Sequence, residues 1–276
     1  MKRLINRRPS WLTALLLGLI PFLVIGMIYL GESNARLLEN PDDRLLPSAM
    51  QLVEGVRMIA VDEDPRTGQV ILWADTAASL HRIGIAMGVC TLAGLVFGML
   101  NGMLPYVRAV ASPLVTAISL VPPMAILPIL FVIFGLDELS KVMLIVIGIA
   151  PFLIRDLQGR IREIPAEMMI KAQSLGASSW QIALRVVLPQ VLPRLIDSVR
   201  LSLGSAWLFL ISAEAVAAEQ GLGYRIFLVR RFLSMDIILP YVFWITLLAF
   251  VMDRALYYTN RAAFPWLGGR MAKEGA

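Results

Sequence analysis

Glu214 is the one acid well inside an otherwise uncharged apolar window, residues 201–218. A carboxylate at bilayer depth costs enough free energy to mark a functional element by default. It is expected to face a bundle interior as a gate, a solute contact or a buried hydrogen-bonding group, with a structural partner ranked ahead of direct solute contact. Ser212 and Ser205 fall in the same window, and Met124 lies beside a proline break in another. Polar or adaptable side chains at such places are, with Glu214, the candidates for lining a translocation path. The single histidine, His81, and the single cysteine, Cys90, have no companions at ligand spacing. They read as an interfacial histidine and a core thiol. No metal-ligand set, nucleophile elbow or paired-acid motif occurs within the windows, which removes the common hydrolytic chemistries.

What positions these residues is a membrane. Of 276 residues, 58% are apolar and only 16% charged, against about 25% charged in soluble domains. A mean hydropathy of +0.74 excludes a disordered, collagen-like or disulfide-stapled chain. Apolar windows run over 11–30, 83–104, 109–134, 142–154, 201–218 and 237–252. About 20 helical residues cross the hydrocarbon layer, so the pattern predicts an all-α, polytopic membrane helix bundle of about six spans. The 142–154 window needs extension toward Leu136 and Leu157, with Lys141 and Arg155 snorkelling to the surfaces.

The net charge of +5 follows the loops and not a nucleic-acid-binding face. Lys2, Arg3, Arg7 and Arg8 precede the first window, and with that tail inside, the cytoplasmic segments hold 16 of the 25 basic residues. The first outer loop, residues 31–75, carries nine acids against four bases. The positive-inside bias thus puts both termini in the cytoplasm. The first window is read as a span, because its 20 residues exceed the roughly 7 to 15 of a secretory signal.

Gly84 and Gly88, then Gly94, Gly98 and Gly102, recur every fourth residue and predict close helix packing, not phosphate binding. Pro122, Pro123 and Pro128 interrupt the third window and free backbone groups that only protein or a water-lined cavity can satisfy there. A static kink and a mobile helix beside a pathway both fit.

Between the fourth and fifth windows lies a charged, proline-bearing stretch of roughly 40 residues, where 2 to 8 is common in bundles. Pro165 opens a short helix whose apolar face holds Met168, Ala172 and Leu175 before Gly176 stops it. Ser178 with Gln181 forms a capping box, and Trp180, Ala183, Leu184 and Val187 make a second stripe, expected to end at Pro189. The product is a helical knuckle fit for docking into a partner's groove.

Residues 171–189, KAQSLGASSWQIALRVVLP, resemble the coupling-loop signature of bacterial ATP-binding-cassette import permeases, with Ala172, Gly176, Val186, Leu188 and Pro189 at its spacing. Ile170 and Lys171 depart from the glutamate and alanine usual in that signature. VPPMAILPILFVIFGLDELSK (121–141) and SAEAVAAEQGLGY (212–224) look like the nitrate, sulfonate and taurine branch. IAPFLIRDLQGRIREIPAEMMIKAQSLGAS and FLVRRFLSMDIILPYVFWIT are similar to permeases encoded with urea or guanidine carboxylases, implying a small nitrogen compound with guanidinium as the best guess. The resemblance covers residues 71–267.

It implies a type I importer permease in a bacterial inner membrane, with no cofactor of its own. Its expected partners are a second permease subunit as a homodimer, two cytosolic ATPases holding ATP and Mg, a periplasmic or lipid-anchored solute-binding protein, and lipid. The lack of a GxxxxGK[ST] motif agrees, since nothing here cradles a nucleotide in the usual way. The resemblance gives Gly176 the tight turn, Ala172 close approach, Met168, Met169 and Trp180 apolar contact with the ATPase, and Leu188 and Pro189 the end of the second helix. It divides the chain into an N-terminal part (1–70), a permease core (71–267) containing the coupling loop 155–198, and a tail (268–276). The alternative is a stand-alone secondary transporter or channel. Such proteins commonly show repeated halves with several charged or unwound midplane elements, and neither is apparent.

Overall fold

In hydrocarbon a peptide group must be satisfied within its own segment, and an apolar run of this length does so only as a helix. The computed structural model describes residues 9–40, 43–65 and 68–266. Its helices are α1 (Trp11–Glu39), α2 (Ala49–Ala60), α3 (Ile71–Met103), α4 (Pro105–Ser119), α5 (Pro123–Phe134), α6 (Glu138–Arg162), α7 (Ala166–Ser174), α8 (Ser179–Ile182), α9 (Leu188–Ala217), α10 (Leu222–Val229) and α11 (Met235–Ala263). Among the described residues the only β pairing is an isolated bridge between Glu63 and Val70. Five helical runs are long and apolar enough to cross a membrane: α1, α3, α6, Ser179–Ala217 and α11. A sixth arises if α4 and α5, which meet at 97°, count as one broken span.

Residues 71–228 together with those from 242 onward form one compact unit. Glycine sets its spine. A Cβ on Gly94, Gly98 or Gly102 would lie 2.9, 2.8 or 2.7 Å from side-chain atoms of Leu153, Leu157 and Ile161 respectively. Each step of four on α3 meets a step of four on α6 in the same sense, so the two helices run parallel with their backbones close. Gly84 and Gly88 meet nothing within 4 Å. The predicted packing stripe is therefore three glycines long within this chain. Helix α9 runs antiparallel to α3, since Glu214 pairs with Arg82 while Leu195 reaches Gly94.

Two spanning helices that run parallel require the chain to cross back between them. The α4–α5 pair makes that return, which brings the crossings to six. The third window is broken outright, not kinked. Leu120 and Val121 donate to Ala117 and Ile118, closing α4 in a tight turn, and Pro122 and Pro123 have no N–H with which to continue it. The break abuts protein: Gly148 of α6, where a Cβ would come 2.5 Å from the Phe209 ring and 3.1 Å from Pro123. Beyond it Leu127 and Leu130 are buried with Leu144 and Ala213.

At the other end of α9 polar ties hold its neighbours. Ser198 donates to Asp156 of α6. Arg200 forms an ion pair with Asp253 of α11 at 3.1 Å, its guanidinium 4.9 Å above the Tyr257 ring, and Asn260 donates to the Pro193 carbonyl at 3.0 Å.

The second unit comprises the first 70 residues with 229–241. Ser10 caps α1, and Ser48 with Gln51 completes a capping box on α2. Tyr29 and Ser33 donate to the Pro47 carbonyl at 2.7 and 3.2 Å, folding the connection against the end of α1. Asp43 accepts from the Leu45 amide at 2.8 Å and pairs with Arg36 at 2.7 Å. The amide bond, followed by the Arg36 charge, holds its carboxyl below the ordinary range. Gly55 lets α2 approach the Asp236 carbonyl, which a Cβ would meet at 2.4 Å.

Candidate functional site: a knuckle and a polar clasp at opposite ends of the bundle

Residues 163–178 fold as a knuckle between α6 and the run that becomes α9. Pro165 precedes the first helical residue of α7, where the missing N–H costs nothing. The helix closes in a Schellman motif: the Gly176 N–H donates to Gln173 at 2.9 Å and the Ala177 N–H to Ala172 at 3.0 Å. Gly176 takes φ +80°, a left-handed conformation open to glycine without a Cβ penalty. The Ser178–Gln181 capping box then starts α8. Met168, Leu175 and Trp180 are exposed, Trp180 by 72%, while Met169 and Ala172 are half-buried.

Pro189 does not end the second helix. Residues Ala183–Val187 form one π-helical turn in which the Leu188 N–H reaches back five residues to the Ala183 carbonyl, and α9 continues directly. A wide turn relieves the clash a proline ring makes with the carbonyl four residues earlier. The Gln190 side chain donates to the Val186 carbonyl at 2.7 Å, satisfying a group near the widening. Half-buried Leu188 and Pro189 thus lie inside a continuous lever from α8 to Ala217, and the connection is shorter than sequence length implied.

At the far end of α6 and α9, Glu214 is fully buried. Its Oε1 accepts from Ser79 Oγ and Arg82 Nη1, both at 2.7 Å, and its Oε2 from the Gly223 amide at 2.8 Å. Arg82 also donates to the Gln220 carbonyl at 2.7 Å and grips Glu138 with Nε and Nη2, the latter at 2.7 Å. Lys141 donates to the same Glu138 carboxylate at 3.0 Å. The Gly221 amide reaches Asp75 Oδ1 at 3.0 Å, the Leu222 amide Ser79 Oγ at 2.9 Å, and Arg225 pairs with Asp75 at 2.9 Å. The 218–223 connection is therefore a strap with four successive backbone groups tied to side chains. Gly221, at φ +140°, allows it: a Cβ there would stand 2.6 Å from the Glu214 carboxyl.

The expected bundle-facing partner for Glu214 is thus Arg82, with Ser79. Lys141 does not snorkel. It is 3% exposed, because one turn back the first residue of α6 supplies a carboxylate. Arg155 is exposed and donates to Ser119 at 2.6 Å. Ser212 donates to its own helix at Leu208, Ser205 lies on an exposed face of α9, and Met124 is exposed at the start of α5. Those three are not gathered with Glu214. His81 is exposed and Cys90 is buried as a free thiol. Arg82, Ser79, Asp75, Glu138 and Lys141 were missed, although a signal existed. A buried acid near the end of the fifth span needs a cation at the same bilayer level, and Arg82 and Lys141 flank the spans that begin there.

The binding-protein-dependent transport system inner membrane component family matches residues 91–264. The chain belongs to that family. It is 35% identical over 224 residues to the taurine transport system permease protein TauC of Escherichia coli (strain K12), covering 81% of this chain and 80% of the relative. It is 30% identical over 194 residues to the bicarbonate transport system permease protein CmpB of Synechococcus elongatus, covering 69% of each. A chain of the MetNI methionine ABC transporter, in an inward-facing crystal form, superposes with a TM-score of 0.61 at 20% identity, covering 69% of this chain and 96% of its own. The fold is that of a type I importer permease, and the chain is a multi-pass inner-membrane permease of an ABC importer.

Proposed function

We propose that this chain is the membrane-spanning half of an ATP-driven, binding-protein-dependent importer whose motor grips the 163–178 knuckle from the cytoplasm. The observation that carries this is the knuckle with the start of α8 that follows it: exposed Met168 and Trp180 flank a Schellman turn and a capping box, rooted directly in α6 and in the run that becomes α9. A rigid grip there moves both helices together, which is what rocking between inward and outward access requires. In this reading two cytosolic ATPases hold ATP and Mg, a binding protein delivers solute at the strap end, and a second permease, an identical copy in the simplest assembly, completes the path. Ser205 and Met124 are path candidates by their exposure, whereas Glu214 is committed to the clasp.

The solute is a small polar compound of sulfur, carbon or nitrogen. The names of the relatives favour a taurine-, sulfonate- or bicarbonate-like anion over guanidinium or urea, which rest on local sequence similarity alone. The test is purification in mild detergent followed by reconstitution with the copurifying chains. A bound ATPase, lost in Trp180→Ala, and ATP-dependent uptake support the reading. Solute flux by this chain alone in liposomes overturns it in favour of an autonomous carrier.

A further inference from the structure

Helix α2 (Ala49–Ala60) has 12 residues, a length at which an isolated helix is marginal in water, so it depends on what covers it. The Ser48–Gln51 box closes its start, and one face is packed: Gly55 and Ile59 are buried and Leu52 is half-buried. A second face is not covered. Ala49, Val53, Val56 and Ala60 recur at i, i+4, i+7 and i+11, the repeat of one helical stripe, and Val53 and Val56 are 66% and 43% exposed. Gln51, Glu54 and Met58 stand on the opposite flank of the helix. Of the nine acids in the first outer loop, α2 holds only Glu54.

Two membrane spans fix its depth. The Pro47 carbonyl, immediately before the cap, accepts from Tyr29 and Ser33 of α1, so α2 begins level with Leu30, the last residue of the first apolar window. The Met235 amide donates to the Arg44 carbonyl at 3.4 Å, and Gly55 lies against the Asp236 carbonyl, one residue before the 237–252 window opens. Both ties fall where hydrocarbon gives way to water. None of the most apolar stretch of α1 is buried within the chain, so a surface suited to lipid runs up to the foot of α2.

We propose that α2 is an interfacial helix lying along the membrane surface where α1 ends and α11 begins, with Ala49, Val53, Val56 and Ala60 against the acyl chains of lipid and Glu54 and Met58 turned to water. A helix of this kind sinks its apolar side about 5 to 10 Å into the boundary between head groups and chains. Arg57, next to Val53 on the helix surface, can extend its guanidinium to the head-group level while its stem covers the stripe. Pinned to both spans and seated in lipid, α2 resists any motion that would draw the end of α1 or the start of α11 away from the interface.

The experiment is spin-label accessibility on the full-length chain, reconstituted in vesicles of phosphatidylethanolamine and phosphatidylglycerol. Val53→Cys, Val56→Cys, Glu54→Cys and Met58→Cys, each at an exposed side chain, carry a nitroxide in turn. The native Cys90 is 0% exposed, and wild type treated with the same label sets the blank. Oxygen, which concentrates in hydrocarbon, and a water-soluble nickel complex present on both faces of the vesicle are the two relaxing agents. The labels at 53 and 56 are expected to meet oxygen readily and to meet the nickel complex about tenfold less often than those at 54 and 58, because a polar complex enters an apolar layer at a cost of a decade or more in partition. Met58 is the discriminating position, since it is 53% exposed and apolar like the two valines yet stands on the other flank. Equal, high nickel contact at all four positions makes α2 a solvated helix and overturns the proposal. Labels at 53 and 56 shielded from oxygen and nickel alike reveal a protein cover, such as a second copy of the chain, and overturn it too. The importer reading is tested separately by uptake and stands under either result.

Discussion

Gly176 offers a test in which backbone and bulk can be separated. It adopts φ +80°, and nothing lies within 4 Å of the place a Cβ would occupy, so replacing it with alanine introduces no clash. The cost is that of holding an L-residue in the left-handed region, about 1 to 2 kcal/mol. Such a shift changes the ratio of bent to unbent knuckle roughly 5- to 30-fold. Uptake by the reconstituted importer should therefore fall substantially in Gly176→Ala, while thermal unfolding of the spans stays at the wild-type temperature. Asparagine visits the same backbone region readily, and Gly176→Asn should retain most uptake. Gly176→Leu combines the backbone cost with bulk on a surface assigned to the ATPase and should abolish transport with membrane insertion intact. Wild-type uptake in the alanine variant, or an asparagine variant as impaired as alanine, refutes the claim that the turn matters through its conformation.

Gly98→Ala places a Cβ 2.8 Å from Leu157 and should lower stability by about 1 to 3 kcal/mol. Gly84→Ala meets open space and should be neutral or stabilising by up to about 1 kcal/mol; equal melting temperatures for the two variants in detergent would contradict the parallel α3–α6 packing. Glu214→Ala leaves Arg82, Ser79 and the Gly223 amide without that acceptor and should cost about 3 to 5 kcal/mol, read as a lowered melting temperature with faster proteolysis at 218–223. Asp43 has a depressed pKa in the folded chain, so its contribution is present above the unfolded value and is lost as pH falls through the lower folded one. Its carboxyl carbon resonance should titrate below the ordinary 3.8, and a midpoint at or above that value excludes the Leu45 and Arg36 contacts.

Much of the site was readable where the controlling physics is local. Pro165, Gly176 and the Ser178–Gln181 box act over three or four residues, and each forms the turn or cap its type predicts. The spans follow from the length and placement of the uncharged apolar windows. Reading failed where one local rule meets a compensating distortion: Pro189 signals a stop, yet a single wide turn carries the helix through. It failed again for Lys141, since snorkelling is the rule for a lysine without a partner, and Glu138 one turn away supplies one. The strap was invisible for a different reason. Its bonds join residues as much as 146 positions apart, such as Asp75 and Gly221, and only the three-dimensional pairing of α3, α6 and α9 brings them together.

The π-helical turn at Ala183–Val187 has a geometric corollary. Such a turn is an α-helix carrying one surplus residue, and each residue of an α-helix advances the azimuth by about 100°. Removing a single residue there would restore regular winding and swing Trp180 by about that angle around the axis of α9. The compass bearing of the tryptophan relative to the bundle is thus set by one inserted amino acid, a coarse dial that length variation in this short stretch would turn in whole clicks.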